Sequence, residues 1–294
     1  MRFHPNQLEA LSQVLRLGSF EAAAAALSVT PSAVSQRIKA LEDQTGTTLV
    51  RRGPPCTGTE AGLRIGKHAE DIGLLEAQLT RNLSLDTSGS TARLKVAVNA
   101  DSLATWFVEA MAAVDSVLFD LVIDDQDHSA DWLKRGEVSA AITAHDRPVT
   151  GCDAHALGAF QYVACASPDY LARWFTDGVT VDTAIQAPCL VFNAKDALQR
   201  RWLDLNVAPN LSPPAHFVPS THAFVDAALA GMGWGMNPLH LVAPVLQSGE
   251  LVPLMPSTEL SVPLTWQDSR VMAPALADVT RAVLASGRRH LVQA

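Results

Sequence analysis

No run of about 18 consecutive apolar residues occurs in this sequence, which excludes a membrane-spanning helix of ordinary length. Residues Met1 to Leu17 carry polar side chains throughout and lack the apolar centre of a signal peptide. The expectation is a soluble, unexported protein of the cytoplasm with no membrane partner. Cysteine is scarce: the four residues Cys56, Cys152, Cys165 and Cys189 lie far apart, with no C-x-x-C pair and no histidine at zinc-ligand spacing. A disulfide scaffold and a zinc module are thereby excluded, and the thiols read as free and buried in a reducing compartment. Enzyme signatures are missing as well, with no G-x-S-x-G, no G-x-x-x-x-G-K-[ST] and no H-E-x-x-H. Gly231-Met232-Gly233-Trp234-Gly235 imitates a dinucleotide fingerprint in spacing only, because it lies between a helix-like and a strand-like run, the wrong order for that site. Neither an enzyme nor a metal or organic cofactor is expected.

What is present is a globular composition. Of 294 residues 48% are hydrophobic and 18% charged, enough chain for two or three compact units. The formal net charge of −8 argues against nucleic acid only until it is divided along the chain. Through His68 there are eight Lys and Arg against five Asp and Glu, and beyond it 14 against 25. A mildly basic head on a strongly acidic body suits two different partners.

The head reads as short helices. Leu8, Leu11, Val14 and Leu15 recur at helical spacing up to Gly18, and the alanine-rich run Phe20 to Leu27 makes a second helix. Thr30 is a natural N-cap, with Pro31 at the first helical position, for a third helix ending at Gly46. Leu49 and Val50 lead into the basic turn Arg51-Arg52-Gly53-Pro54-Pro55, which is wing-like. From Thr59 to about Leu83 a long helix carries Ala61, Ile65, Ala69, Ile72, Leu75 and Leu79 as an apolar stripe, suited to helix–helix packing between two copies or within one domain. Ser84 to Thr91 has the composition of a hinge.

Beyond it, strand-like runs (Leu94–Val98, Leu121–Ile123, Ala140–Thr143) alternate with helix-like ones, and a second block repeats the style with Tyr162–Ala166, Cys189–Phe192, His216–Val218 and Gly233–Met236. The run Leu264–Gln267 and a helix from Pro274 close the chain. The fold class is therefore α/β with an all-α-type head, and two α/β lobes place a ligand crevice at the carboxyl ends of their strands.

In the third helix Val34, Ile38 and Leu41 must face a core, leaving Ser32, Ser35, Gln36 and Lys39 on the outer face near its N-terminus. A helix that enters the major groove presents such donors and acceptors. Arg37, Arg51 and Arg52 can neutralise phosphates. Taken singly, these are also ordinary surface residues.

The arrangement as a whole, "LEALSQVLRLGSFEAAAAALSVTPSAVSQRIKALEDQTGTTLVRRG…TGTEAG", resembles the head of the LysR-type transcriptional regulators over more than about sixty residues in register. The resemblance implies a winged helix-turn-helix over 1–58, a linker helix that dimerises and a hinge over 59–91, and an effector domain like the type 2 periplasmic binding proteins over 92–294. Its first lobe is expected at about 92–160 and 267–294, its second at about 161–266. Double-stranded promoter DNA, RNA polymerase and further copies of the chain, as a homodimer or homotetramer, are the implied partners. Pro54-Pro55-Cys56 departs from the family pattern in the wing.

In the effector domain Asp101 and Ser102 stand where a strand gives way to a helix, Asp124 and Asp125 end the next strand, Thr143 follows the third, and Ser220 opens a helix of the second lobe. These six residues are the candidate effector pocket, acids for a cation and hydroxyls for a carboxylate. The same types equally serve as helix and turn caps. The segments "VNADSLATWF", "DDQDHS" and "GWGMNP" resemble the LysG/ArgP subgroup, which controls export of lysine and arginine. That resemblance implies a basic amino acid as effector and an exporter gene as target; the alternatives are the same architecture sensing another small metabolite, and a binding protein or enzyme without DNA function.

Overall fold

The structure, a computed structural model, describes residues 2–85, 92–144 and 147–293. Three helices open the chain: α1 (Pro5–Leu17), α2 (Phe20–Ala26) and α3 (Pro31–Thr45). Local chemistry sets their ends. Ser19 caps α2 by accepting from the Glu21 and Ala22 amides, Thr30 caps α3 by accepting from Ala33, and Gly18 and Gly46 end α1 and α3. Leu11, Val14, Ala23, Ala24, Val34, Ile38 and Leu41 share a core with Leu49 and Val50, and the small alanines let α2 lie close to its neighbours.

The hairpin of β1 (Val50–Arg51) and β2 (Thr57–Gly58) is tied to α3 by Glu42, whose Oε1 accepts from the Leu49 and Val50 amides at 2.8 and 3.3 Å. At its tip the Cys56 amide donates to the Gly18 carbonyl at 2.7 Å, so the proline-rich turn folds back on the end of α1.

The helix α4 (Glu60–Asn82) follows, capped by Thr59. Its buried positions are Gly62, Gly66, Lys67 and Leu74, while Leu63, Leu75, Leu79 and Leu83 are exposed. The expected stripe thus divides: glycines, invisible to a hydrophobic-periodicity reading, make the inner face, and several leucines look outward. A Cβ on Gly62 would sit 1.9 Å from the Leu49 carbonyl oxygen, which is how closely α4 approaches β1. Lys67 Nζ bonds Asp71 and donates to Ser139 Oγ at 2.7 Å, fastening α4 to the α/β part of the chain. The hinge reading at 86–91 falls outside the described residues.

The remaining strands are β3 (Ala92–Val98), β4 (Val117–Ile123), β5 (Ala140–Thr143), β6 (Cys152–Ala166), β7 (Cys189–Val191), β8 (Ala215–Phe217), β9 (Gly235–Pro238), β10 (Val252–Pro253) and β11 (Leu260–Ser269). One sheet runs β10-β6-β11-β5-β3-β4, with β9 also on β6, and β7 and β8 form a parallel pair. Parallel β3–β4 and β3–β5 pairings fit the alternation of strands and helices. The long antiparallel pair β6–β11 exceeds the expected Tyr162–Ala166 and Leu264–Gln267, and it passes through the expected lobe boundaries near residues 160 and 266. Thr265–Asp268 of β11 pairs with β5, whereas Tyr162–Cys165 of β6 pairs with β9, so these two strands join the two lobes.

The extra length escapes an alternation test because the register slips between Leu264 and Thr265, a bulge at Leu157 beside Gly158, whose φ of +114° suits glycine. The C-terminal helix Ala273–His290 packs on β6, β11 and α4. Cys56, Cys152, Cys165 and Cys189 are all free, the last three buried. Among the described residues no helix is long and apolar enough to cross a membrane, and no group of three or more His, Cys, Asp or Glu could hold a metal.

Candidate functional site

Two regions carry the candidate chemistry. On the head, α3 buries Val34, Ile38 and Leu41 and leaves Ser32, Gln36 and Lys39 exposed, with Ser35 and Arg37 half-buried beside them. Arg51 and Arg52 are exposed on the hairpin, and the Arg52 guanidinium lies 5.0 Å from the centroid of the Phe20 ring. All seven head residues named from the sequence therefore lie on α3 or the hairpin beside it, where a helix face and a basic turn can meet one nucleic-acid surface.

The second region is a cavity of about 340 Å³ at the carboxyl ends of β3, β4 and β7. Asn99, Asp101, Asp124, Asp125 and Gln126 line it from the first lobe. Phe192, Lys195, Asp196, Thr221, Phe224 and Met236 line it from the second. Among the described residues four carboxylates face one ammonium there, so the cavity favours a cationic guest.

Each acid is held differently. Asp101 accepts from Tyr162 Oη at 2.7 Å and from Thr221 Oγ1 at 2.8 Å, yet burial pushes its carboxyl above the ordinary range despite both bonds. Asp125 is likewise raised, chiefly by burial, although it accepts from the Asp127 amide at 2.8 Å. Asp124 goes the other way. Burial would raise it, but Lys195 Nζ at 2.7 Å, Trp132 Nε1 at 2.8 Å and the Asp125 amide at 2.9 Å together hold it below the usual value. Asp196 accepts from the Phe192 and Leu198 amides at 2.9 and 3.0 Å, shaping the loop that carries Lys195. Asn99 is 3% exposed, and neither its Oδ1 nor its Nδ2 has a partner among the described residues. An unpaired buried amide on a cavity wall calls for a polar guest, or water, to satisfy it.

Of the six effector residues named from the sequence, Asp101, Asp124 and Asp125 come together here; the others do not line the cavity. Ser102 is fully buried. Thr143 Oγ1 accepts from Gln267 Nε2 at 2.9 Å inside the sheet, and Ser220 caps the helix Thr221–Leu229 from an exposed position. The cause is direction: neighbouring residues at a strand or helix end point to different sides. Thr221, next to Ser220, is the one that reaches Asp101. Asn193-Ala194-Lys195-Asp196 was findable by the rule that located the other aspartates, since it follows a strand; Tyr162, mid-strand on β6, was not.

Residues 5–63 match the family model described as a bacterial regulatory helix-turn-helix protein of the lysR family, and residues 87–288 match the LysR substrate binding domain. The HTH-type transcriptional regulator LysG of Mycobacterium tuberculosis is 43% identical over 280 residues, covering 95% of this chain and 92% of that protein. The crystal structure of ArgP from Mycobacterium tuberculosis superposes with a TM-score of 0.82 at 41% identity, covering all of both chains. Full-length LysG of Corynebacterium glutamicum with bound effector Arg does so with a TM-score of 0.68 at 37% identity, covering 98% of this chain and 99% of that one. A helix-turn-helix head with a basic hairpin, joined by a long helix to a two-lobed domain with an acid-lined cavity, and matched over nearly its whole length, makes this chain a member of the LysR family of bacterial transcriptional regulators.

Proposed function

We propose that this regulator acts in the cytoplasm, reads promoter DNA through its head and takes a basic amino acid, lysine or arginine, into the cavity between its lobes. In this reading it thereby controls an amino-acid exporter gene. The carrying observation is the excess of carboxylates on the cavity wall: Asp101, Asp124, Asp125 and Asp196 against Lys195. A side-chain ammonium or guanidinium taken out of water needs such a partner, and the unpaired Asn99 amide can serve the amino-acid head group. The bound Arg in the Corynebacterium relative and the resemblance to regulators of lysine and arginine export support the same effector class.

The proposed division is a head at 1–58, a linker at 59–91 and an effector domain at 92–294. Ser32, Ser35, Gln36, Arg37, Lys39, Arg51 and Arg52 contact DNA, and Asp101, Asp124 and Asp125, joined by Asn99, Lys195 and Asp196, contact the effector. The exposed Leu63, Leu75, Leu79 and Leu83 on α4 suit pairing with a second copy, giving a homodimer or homotetramer that places two heads on two half-sites and works with RNA polymerase.

Calorimetry of the full chain against lysine, arginine, histidine and norleucine tests the effector. Lysine and arginine are expected to bind, with norleucine at least about tenfold weaker, equivalent to about 1.4 kcal/mol. Asp125→Asn should narrow that gap. Equal binding of norleucine and lysine would return the aspartates to a capping role.

A further inference from the structure

Among the described residues that line the cavity, Lys195 is the one cation and the other charged residues are all acids. Its Nζ reaches across from the loop after β7 to Asp124 Oδ1, at the end of β4, at 2.7 Å. The two lobes thus meet in an ion pair at the cavity wall, with a primary ammonium of this chain standing where a guest ammonium would stand. The pair is asymmetric. The Asp124 side chain is 15% exposed and further fixed by Trp132 Nε1 at 2.8 Å, whereas the Lys195 side chain is 48% exposed. Asp124 is the fixed socket and Lys195 the movable plug, because a long, half-exposed lysyl chain gains freedom on leaving.

We infer that Lys195 is a tethered stand-in for the effector's cationic group, competing with it for Asp124 and setting the concentration at which the cavity fills. The inference rests on the basic-amino-acid reading of the cavity and deepens it. A ligand ammonium or guanidinium that takes Asp124 must first displace Lys195, so the apparent affinity is the intrinsic one multiplied by the fraction of time the plug is out. A neutral ligand has no charge to offer Asp124 and leaves the plug in place, so the competition falls on cationic ligands alone. Once displaced, the lysyl ammonium no longer ties the lobes through Asp124.

An ion pair half-exposed on one side has modest strength, so removing it should tighten binding of lysine by about threefold to fivefold. The test is calorimetric titration of the full-length protein with L-lysine and L-norleucine in four forms: wild type, Lys195→Met, Asp124→Asn and the double variant. Lys195→Met keeps the stem and removes the charge. Competition predicts tighter lysine binding in Lys195→Met and no gain from the same change once Asp124 is Asn. If Lys195→Met weakens lysine binding in both backgrounds, Lys195 anchors the ligand carboxylate and the inference is overturned. A gain of equal size in both backgrounds would reduce Lys195 to a distant repulsive charge, also overturning it. If wild type and Lys195→Met both bind norleucine as well as lysine, the failure lies in the basic-amino-acid reading, and the competitor role falls with it.

Discussion

The phenol of Tyr162 on β6 donates to Asp101 Oδ2 at 2.7 Å, while Thr221 of the second lobe donates to Oδ1 of the same carboxylate at 2.8 Å. Asp101 therefore joins the lobes as well as lining the cavity. Replacing it with alanine leaves the buried Tyr162 hydroxyl without its acceptor and should cost about 1–3 kcal/mol of stability in a denaturant titration. Asp101→Asn keeps an acceptor, so it should retain most of that stability while weakening binding of a cation. Equal stability of wild type and Asp101→Ala would mean that water replaces the carboxylate at no cost.

Burial raises the carboxyls of Asp101 and Asp125, so protons bind them more readily in the folded than in the unfolded chain. The stability contributed by their protonated forms is fully present below the ordinary carboxylate value and is lost as pH rises from there through the raised folded one. A cationic effector favours the ionised forms. Lysine affinity should accordingly rise with pH across that window, and binding should release protons. Calorimetry in two buffers of different ionisation heat measures the release; binding without proton release across the window would place the effector away from both groups.

On the head, Arg51 and Gln36 are predicted to differ in kind. Arg51→Ala should weaken binding to specific and random DNA alike and lower the salt dependence by about one counterion, whereas Gln36→Ala should cost about 1–3 kcal/mol of discrimination. Fluorescence anisotropy on promoter and scrambled duplexes at several salt concentrations separates the two. Parallel loss on both duplexes in Gln36→Ala would remove it from the reading face.

The closeness of α4 to β1 gives a stability prediction. Gly62→Ala would press a methyl against the Leu49 carbonyl, where backbone on both sides must yield, and should destabilise the head by about 1–3 kcal/mol. Gly73→Ala on the same helix, where a Cβ meets nothing within 4 Å, is the control and should be neutral or slightly stabilising. Indistinguishable melting of the two variants would show that α4 shifts away freely.

The sequence by itself determined the head. Caps at Ser19 and Thr30, the stop at Gly46 and the spacing of Val34, Ile38 and Leu41 are local signals, and local hydrogen bonds and helical periodicity suffice to read them. It also determined that acids gather at the ends of β3 and β4, because strand ends in an α/β fold open into one crevice.

Only the tertiary structure decided which residues of those runs share the cavity. Asp101 lines it and Ser102 does not; Thr221 reaches Asp101 while Ser220 caps a helix. Neighbours in sequence face different ways, and the facing side is set by what each element packs against. Tyr162, 61 residues from Asp101, and Lys195, 71 from Asp124, meet their partners only because β6 and β11 bring two lobes together. Pairings over such separations leave no periodic trace in the chain.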